Sequence, residues 1–387
     1  MIERELKAEL AQCARMLPVV TLLGPRQSGK TTLVRDLFKG YAYANLEDSD
    51  TFALARDDRR MFFEHFPTPV VIDEVQRLPD LLRDIQVRAD EDQTPGRFVL
   101  TGSHQPRLHA EVSQSLAGRT TLSTLLPLSI RELRAAGVVM SRDEMIFSGF
   151  LPRIHASHLA PRRILSDYLR TYVERDARQL VNVSDWQRFE TFLRLLAGRI
   201  GQVVNLDSLS GDVGVSSTTL KNWLAVLEAS FVIFRLPPYY RNFGRRFIRS
   251  PKVYFTDVGL AAHLLGISSV SQVGQHPLVG GLFENMVVME ALKARLNAGE
   301  EPNLYYMRDS SGTEIDLVLE DAGVLHLWEI KSAMTPSASF GRNLRLLRKI
   351  IPNVASADVI YAGEEWPLPP DGRFLNFAST GAACGRE

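Results

Sequence analysis

Four short apolar segments recur in the first third of the chain, and stretches with helical spacing separate them. The segments are PVVTLLG at 18–24, YAYANLED at 41–48, PVVIDEVQ at 69–76 and GRFVLTGSH at 96–104. Strands that are apolar throughout are typical of sheets covered on both faces, and helical connections join parallel neighbours. The pattern predicts an α/β unit with a parallel sheet and a lead-in helix within residues 1–17.

The pattern changes after the fourth segment. Residues 160–200 predict consecutive helices, and residues 204–233 predict a short helix, a Gly-Val-Ser turn, a second helix and a strand. That order is typical of a winged helix-turn-helix. Residues 275–376 predict a separate α/β unit. Its predicted elements are a helix at 281–297, strands at 303–308, 313–320 and 324–331, a basic helix at 340–351, and the strand DVIYAG.

A phosphate-binding motif follows the first apolar strand. Gly24-Pro25-Arg26-Gln27-Ser28-Gly29-Lys30-Thr31 fits G-x-x-x-x-G-K-[ST] and precedes a predicted helix. Glycines let backbone N–H groups approach phosphates, and the helix directs its positive end at them. Lys30 is expected to contact the β- and γ-phosphates, and Thr31 to ligate Mg²⁺. The residues expected to bind ATP are Gly24, Pro25, Arg26, Gln27, Ser28, Gly29, Lys30, Thr31 and Thr32.

The third apolar strand ends in two acids, Asp73 and Glu74. With the phosphate loop upstream, Asp73 is predicted to complete the Mg²⁺ site, and Glu74 to polarise the attacking water. Ser103 ends the next strand and is expected to contact the γ-phosphate or the water; a strand-terminating turn is the alternative. Arg119 is the first candidate for the arginine that neutralises transition-state charge, and Arg175 is the second.

At this point a family resemblance is visible. The segments GPRQSGKTTL, VVIDEVQRLP, FVLTGS, SLAGR, LLPLS, YVERD, GVSSTTLKNWLAVLE, PPYYRNFGRR, PKVYFTDVGL, GLFEN, GTEIDLVLE and WEIK occur in this order. Over nearly all of its length the chain resembles prokaryotic AAA-type ATPases with a C-terminal domain of unknown function. The resemblance implies a P-loop, AAA+-like ATPase domain at 1–135 and a helical connector or lid at 136–200. It also implies a winged helix at 201–270 and a restriction-endonuclease-like domain at 271–387.

Overall charge changes the expectations about partners. Lys plus Arg and Asp plus Glu number 45 each, so the net charge is zero, and nucleic-acid binding would need a local patch.

Two cysteines at opposite ends give no disulfide framework and fit a reducing compartment. No apolar run reaches the roughly 18 residues of a transmembrane helix. We therefore expect a cytoplasmic protein with no membrane partner.

The predicted winged helix carries a local basic patch. Between Glu228 and Asp257 there are six bases and no acid. The bases are Arg235, Arg241, Arg245, Arg246, Arg249 and Lys252, interleaved with Tyr239, Tyr240, Phe243 and Phe247. Bases suit phosphate contacts and rings suit stacking. DNA contact is predicted for Arg241, Arg245, Arg246 and Arg249, with Thr218, Thr219, Lys221 and Asn222 on the recognition helix. A protein-docking module or a lid is the alternative.

The C-terminal unit has a second set of chemically reactive residues. Glu284 on a helix, Asp316 on a strand, and Glu329 with Lys331 on the next strand follow the order of PD-(D/E)xK nucleases. Strand alternation puts Glu329 and Lys331 on one face. Asp316, Glu329 and the Ile330 carbonyl are expected to hold a second Mg²⁺, with Lys331 steadying a hydroxide. A salt-bridged sheet edge without metal is the alternative.

Three functions compete at this stage. The leading interpretation is an ATP-hydrolysing, DNA-engaging motor or switch in DNA processing or defence. It would act as a homo-oligomer, since an arginine finger commonly comes from a neighbouring subunit. One alternative is a nucleotide-controlled signalling or scaffold protein that binds protein partners. The other is an ATP-gated, Mg²⁺-dependent nuclease.

Overall fold

The computed structural model describes residues 2–103, 112, 115–157, 159–173, 186–239, 250–309, 312–370 and 372–385. The chain divides into two compact units. The first comprises residues 1–128, 229–231 and 296–300. The second comprises residues 129–228, 232–295 and 301–387. The candidate DNA contacts Arg241, Arg245, Arg246 and Arg249, and the second candidate arginine Arg175, lie outside the described residues.

A parallel sheet of five strands forms the centre of the first unit. The strands are β1 (Val19–Gly24), β2 (Ala42–Asn45), β3 (Val70–Asp73), β4 (Phe98–Ser103) and β5 (Thr120–Thr124). Their order across the sheet is β2-β3-β4-β1-β5, and every neighbouring pair is parallel. The carboxyl ends of β1, β3 and β4 therefore open on one edge of the sheet. The predicted α/β fold with a parallel sheet is confirmed.

Helices cover both faces of this sheet. They are α1 (Lys7–Cys13), α2 (Lys30–Leu37), α3 (Ser49–Asp57), α4 (Arg59–His65) and α5 (Leu81–Glu91). Alternate residues of β1 enter two different apolar clusters: Val19 and Leu23 pack into one, and Val20 and Leu22 into the other. Both faces of the strand are therefore buried, which is why its sequence is apolar throughout.

The second unit begins with helices. They are α6 (Ile130–Ala135), α7 (Arg142–Ser148), α8 (Pro152–Ala156), α9 (Pro161–Tyr168), α10 (Trp186–Ala197), α11 (Leu206–Val213) and α12 (Ser217–Ala229). Capping boxes from Ser129 and Ser141 start α6 and α7. Strands β6 (Ile233–Leu236) and β7 (Lys252–Phe255) then form an antiparallel pair. Helices α13 (Val258–Leu264) and α14 (Val270–Val273) follow.

A mixed sheet of six strands completes the second unit. After α15 (Val279–Asn297) come β8 (Leu304–Arg308), β9 (Glu314–Asp321), β10 (Val324–Lys331), helix α16 (Arg342–Arg348), β11 (Val354–Tyr361), β12 (Trp366–Leu368), β13 (Gly372–Asn376) and helix α17 (Thr380–Cys384). The order across the sheet is β12-β13-β11-β10-β9-β8. Strands β8, β9 and β10 are antiparallel, whereas β10 and β11 are parallel. This antiparallel run places the candidate residues of β9 and β10 side by side.

Asp257 joins two parts of the second unit through its buried carboxylate. It is 3% exposed and accepts hydrogen bonds from the backbone N–H of Phe150 at 2.7 Å and of Leu260 at 3.1 Å. Gly149, with φ +71°, lies so close that an added Cβ would stand 2.1 Å from Asp257 Oδ1. Only glycine fits at this position, both in conformation and in space.

We expect Gly149→Ala to destabilise the second unit by about 3 kcal/mol or more, because it adds a clash to a left-handed backbone. Gly137→Ala is the matched control: its φ is +79°, but nothing lies within 4 Å of the added Cβ. It should cost only about 1–2 kcal/mol of conformational strain. Urea denaturation of both variants measures the difference. Equal losses would contradict the tight contact at Asp257.

Candidate functional site

The loop between β1 and α2 is fixed at both ends by glycines. Gly24 has φ +154°, and an added Cβ would stand 2.2 Å from the Leu125 carbonyl oxygen. Gly29 has φ +95° and forms the N-cap of α2. Larger residues would clash at the first position and be strained at the second. The loop thus has the steric requirements that the sequence motif predicts.

The lysine of this loop lies back along the loop's own backbone. The Lys30 side chain is 5% exposed, and its Nζ donates to the carbonyl oxygens of Gly24 at 3.0 Å and Pro25 at 2.9 Å. In the described part of the chain, the buried Ser28 Oγ has no hydrogen-bond partner. A buried hydroxyl without a partner is costly, and a phosphate oxygen would satisfy it. The cradle therefore fits an anionic oxygen ligand.

Arg4 links the phosphate loop to the segment that follows β5. Its guanidinium donates to the Ser28 carbonyl oxygen at 2.5 Å and to the Leu126 carbonyl oxygen at 2.7 Å. Sequence reasoning missed this residue, because a single arginine in an amphipathic lead-in segment carries no recognisable signal. Of the other predicted loop residues, Arg26 forms an ion pair with Glu47 at 3.8 Å, and Thr32 is exposed on α2.

Asp73 connects the loop to three strands of the sheet. Its carboxylate is 2% exposed and accepts hydrogen bonds from Thr31 Oγ1 at 2.8 Å and Tyr43 OH at 2.6 Å. The Thr101 hydroxyl donates to its other oxygen. Burial and the adjacent carboxylate raise the pKa of Tyr43, so this hydroxyl remains a donor. The Thr31–Asp73 contact spans 42 residues of sequence and joins the two halves of the predicted site.

Glu74 lies at the carboxyl end of β3 with an unusual backbone conformation. Its φ is +60°, in the left-handed region that non-glycine residues rarely occupy. Its N–H donates to Thr101 Oγ1 at 3.3 Å, and its carboxylate accepts from Gln76 Nε2. Gln76 Nε2 also donates to Ser103 Oγ at 2.9 Å. The structure thus brings Glu74 and Ser103 together through Gln76, which the sequence reasoning did not select.

Arg119 does not reach this site within the chain. Its carbonyl oxygen accepts from Val19 N at 3.1 Å, so Arg119 lies at the beginning of β1, and the loop lies at its end. At about 3.3 Å per residue, the strand separates them by roughly 17 Å. The guanidinium forms an ion pair with Asp90, donating to Oδ2 at 2.9 Å. Within its own chain Arg119 therefore lies at the edge of the sheet opposite the phosphate loop, and its role in neutralising transition-state charge stays a prediction.

The oxygen atoms of this edge fit Mg²⁺ bound with a triphosphate. Mg²⁺ in nucleotide sites takes one or two protein oxygens and fills its remaining positions with phosphate and water. The Thr31 hydroxyl and Asp73 carboxylate, already 2.8 Å apart, are such a pair. Thr101 and Tyr43 hold the carboxylate in place, which is the orienting role expected around a metal ligand.

The second unit brings three of its four predicted nuclease residues into direct contact. Lys331 Nζ lies 3.1 Å from Asp316 Oδ2 and 2.5 Å from Glu329 Oε2. Asp316 Oδ2 also accepts from Ile330 N at 2.8 Å. Burial and the Asp316 charge raise the pKa of Glu329 to about 8, against the opposing effect of Lys331. Burial opposes ionisation of Asp316, but Lys331 and Lys252 outweigh it and hold its pKa below the usual value.

The fourth residue, Glu284, is bound by Lys252, which the sequence pattern assigns to the basic patch, and by Tyr254, which it does not select. Lys252 Nζ lies 2.8 Å from Glu284 Oε1, and Tyr254 OH donates to the same oxygen at 2.6 Å. Lys252 also pairs with Glu314. Burial raises the pKa of Glu284 to about 6, although Lys252 lowers it. Across the described residues, no group of three or more His, Cys, Asp or Glu is arranged to hold a metal ion.

Two of the six bases of the predicted patch are compensated, which corrects the expectation of six free charges. Lys252 is 2% exposed and pairs with two glutamates, and Arg235 pairs with Glu228. The other four bases lie outside the described residues. On α12, Thr218, Lys221 and Asn222 are exposed. The helices that the structure describes include none long and apolar enough to cross a membrane.

Comparisons with known proteins match these units. Residues 17–134 match the family described as AAA domain. Residues 141–271 and 279–375 match a Domain of unknown function (DUF8612) and a Domain of unknown function (DUF4143). The AAA match confirms the expected P-loop ATPase family for the first unit. The nuclease-like fold of the C-terminal region stays a prediction.

Relatives match the chain over most of its length. The uncharacterised proteins Rv2008c of Mycobacterium tuberculosis and Mb2031c of Mycobacterium bovis are each 33% identical over 376 residues, covering 94% of this chain and 81% of theirs. Among solved structures, the Walker-type ATPase PABY2304 of Pyrococcus abyssi has a TM-score of 0.43 at 15% identity, covering 68% of this chain and 96% of its own. The AMPPCP-bound DnaA of Aquifex aeolicus has a TM-score of 0.30 at 15% identity, covering 58% and 85%. No functional conclusion follows from scores this low.

We expect Thr101→Val to destabilise the first unit by about 2–3 kcal/mol, because its hydroxyl bonds to a buried carboxylate. Thr21→Val is the control: Thr21 is equally buried on the neighbouring strand, but its hydroxyl pairs at 2.9 Å with the neutral Thr120 hydroxyl. Its loss should be about 1 kcal/mol. Urea denaturation compares the two. A smaller loss for Thr101→Val than for Thr21→Val would contradict the central position of Asp73.

Proposed function

The chain belongs to the same protein family as the two mycobacterial proteins, and from that premise we propose that its first unit binds Mg²⁺-ATP and hydrolyses it. The observation that carries this proposal is the 2.8 Å hydrogen bond from Thr31 to the buried Asp73. It joins the phosphate loop to the carboxyl end of β3, where Asp73 is followed directly by Glu74. A structural glycine turn would have no need for this contact.

Each loop residue has a defined role in this proposal. The backbone N–H groups of the loop and the amino end of the eight-residue helix α2 face the phosphates. Lys30 exchanges its bonds to the carbonyls of Gly24 and Pro25 for the β- and γ-phosphate oxygens. Thr31 and Asp73 hold the Mg²⁺ that accompanies the nucleotide.

Glu74 is proposed to act on the attacking water. The water oxygen attacks the γ-phosphorus, the bond to the β–γ bridging oxygen breaks, and the proton of the water goes to the Glu74 carboxylate. Gln76 holds that carboxylate and Ser103 together, so its two contacts fix the direction in which Glu74 faces. Ser103 is therefore proposed to position the water or the γ-phosphate.

We further propose that the second unit engages DNA and that ATP turnover responds to it. Support comes from the exposed polar face of α12, with Thr218, Lys221 and Asn222, and from the four arginines at 241–249. Arginine suits phosphate contacts, whereas this helix face suits groove contacts. The signalling alternative requires instead that ATP turnover be indifferent to DNA.

A second copy of the chain is proposed to supply an arginine to the phosphate site. Arg119 lies at the opposite edge of its own sheet, so it serves only a neighbouring molecule, and Asp90 must first release it. In that arrangement hydrolysis per subunit rises with protein concentration. The ATP-gated nuclease is less favoured, because Lys252 and Lys331 already form ion pairs with the carboxylates of its centre.

We expect Lys30→Ala to abolish the thermal shift that Mg²⁺-ATP produces, and Glu74→Gln to retain it. Loss of the general base in Glu74→Gln should lower kcat by about 100-fold or more. Lys39→Ala is the control, since Lys39 is an exposed lysine of the same unit paired with Asp36. It should leave both binding and turnover unchanged. Normal turnover in Glu74→Gln would contradict the proposed role of Glu74 as the general base.

The DNA proposal is tested by ATP hydrolysis with and without single-stranded, duplex and branched DNA. Wild type should be stimulated, and Arg245→Ala/Arg246→Ala should lose the stimulation while keeping basal turnover. Two fewer phosphate contacts should reduce the slope of log affinity against log salt by about two. Arg60→Ala/Arg163→Ala, at exposed positions elsewhere, is the control. Wild-type turnover that ignores all three DNAs supports the signalling function instead.

A further inference from the structure

Four carboxylates in the second unit share two lysines. The carboxylates are Glu284 on α15, Glu314 and Asp316 on β9, and Glu329 on β10, and they are called the carboxylate cluster here. Lys252 pairs with Glu284 and Glu314, and Lys331 pairs with Asp316 and Glu329. Each ammonium group therefore bridges two acids that belong to different strands or helices. The cluster contains its own counter-charges.

Lys252 is the more deeply buried of the two lysines. Its side chain is 2% exposed, whereas that of Lys331 is 33% exposed. Its Nζ lies 5.3 Å from the centre of the Tyr306 ring, within cation–π range. A buried ammonium is tolerated only where carboxylates and rings compensate the lost hydration. Removing Lys252 would leave Glu284 and Glu314 as half-buried anions with far less compensation.

The position of Lys252 is set by the backbone. It begins β7, and its Cα pairs with Val203 through an isolated antiparallel bridge and with Leu236 of β6. Gly201 opens space beside the cluster, because an added Cβ would stand 3.3 Å from the Glu284 carboxyl carbon. Strand pairing on both sides of Lys252 therefore positions its side chain in the cluster.

The cationic groups around the carboxylate cluster disfavour a resident divalent ion. Arg308 Nε lies 3.5 Å from Glu314 Oε2, so three cationic groups face the four acids. A divalent ion would add two positive charges beside them, and like charges at a few ångströms repel strongly in a buried site. The residues therefore do not fit the second Mg²⁺ that the sequence pattern predicts.

We propose that Lys252 is the permanent cation between Glu284 and Glu314, next to the Asp316 and Glu329 carboxylates to which the sequence pattern assigns Mg²⁺, and that it takes the place of a divalent ion at the Glu284–Glu314 pair. The centre is then a structural ion network that fastens β7 to α15 and β9. Glu284 and Glu314 acquire affinity for a hard divalent cation only when the Lys252 ammonium is absent. Hard oxygen ligands of this kind suit Mg²⁺ and Mn²⁺.

The test uses the full chain without nucleotide, in an Asp73→Asn background that removes the metal position of the first unit. Free Mn²⁺ is measured by its electron paramagnetic resonance signal. The background protein should bind no Mn²⁺ at the cluster. Lys252→Met in that background should bind one Mn²⁺ per chain, with an affinity at least about tenfold above any weak residual binding by the background protein. Adding Glu284→Gln to Lys252→Met should remove this binding.

Lys293→Met is the matched control. Lys293 is 1% exposed in the same unit and pairs with Glu290 at 2.7 Å, so its loss also removes a buried ammonium. It should destabilise the unit and create no Mn²⁺ site at the cluster. Thermal unfolding with and without Mn²⁺ gives a second readout. Mn²⁺ should raise the Tm of Lys252→Met and leave that of the background protein unchanged.

Two results would overturn the proposal. The first is a background protein that binds one Mn²⁺ and loses it on Glu284→Gln or Glu329→Gln. The second is a folded Lys252→Met that binds none. If Lys252→Met folds only with Mn²⁺ present, the proposal is supported. If it folds under neither condition, the background measurement alone decides, because a resident ion at the cluster would contradict the assignment of Lys252.

Discussion

The buried carboxylate of Asp73 is the constraint on which the first unit depends. Three hydroxyls reach it: Thr31 from the start of α2, Tyr43 from β2 and Thr101 from β4. A carboxylate that is 2% exposed needs such partners, so loss of any one of the three contacts should destabilise the unit. Together they connect the phosphate loop to three strands of the sheet. The geometry proposed to hold a metal-bound triphosphate thus coincides with the contacts that satisfy one buried carboxylate.

The sequence predicted the first unit well because its signals are local. Gly24 and Gly29 have steric roles that only glycine fulfils, and the apolar β1 and β3 lead directly to Gly24 and Asp73. What it could not predict were contacts made across the sheet. Arg4 and Gln76 each donate two hydrogen bonds that only the folded chain brings within reach, and Arg119 is separated from the loop by the length of a strand. Short strands β12 and β13 also went unpredicted, since three to five residues give too little periodicity to recognise.

In the second unit, the sequence pattern predicts a metal site, whereas the lysines around the same carboxylates favour an ion-pair network. Glu329 and Lys331 lie together as the alternation of β10 requires, and Asp316 faces them from β9. Lys252 adds a buried positive charge next to these carboxylates. It belongs to a segment whose composition alone predicts an exposed basic surface. A charge count along the chain cannot distinguish an exposed base from one buried between glutamates. The difference lies in the tertiary partners Glu284 and Glu314.

The central claim is that Asp73 holds the divalent ion that accompanies ATP. It is tested most directly by measuring ATP affinity with Mg²⁺ and with EDTA, for wild type and for Asp73→Asn. In wild type, Mg²⁺ should tighten binding by at least about tenfold, and in Asp73→Asn this Mg²⁺-dependent gain should vanish while metal-free affinity remains. An Asp73→Asn protein that keeps the full Mg²⁺-dependent gain would contradict the account.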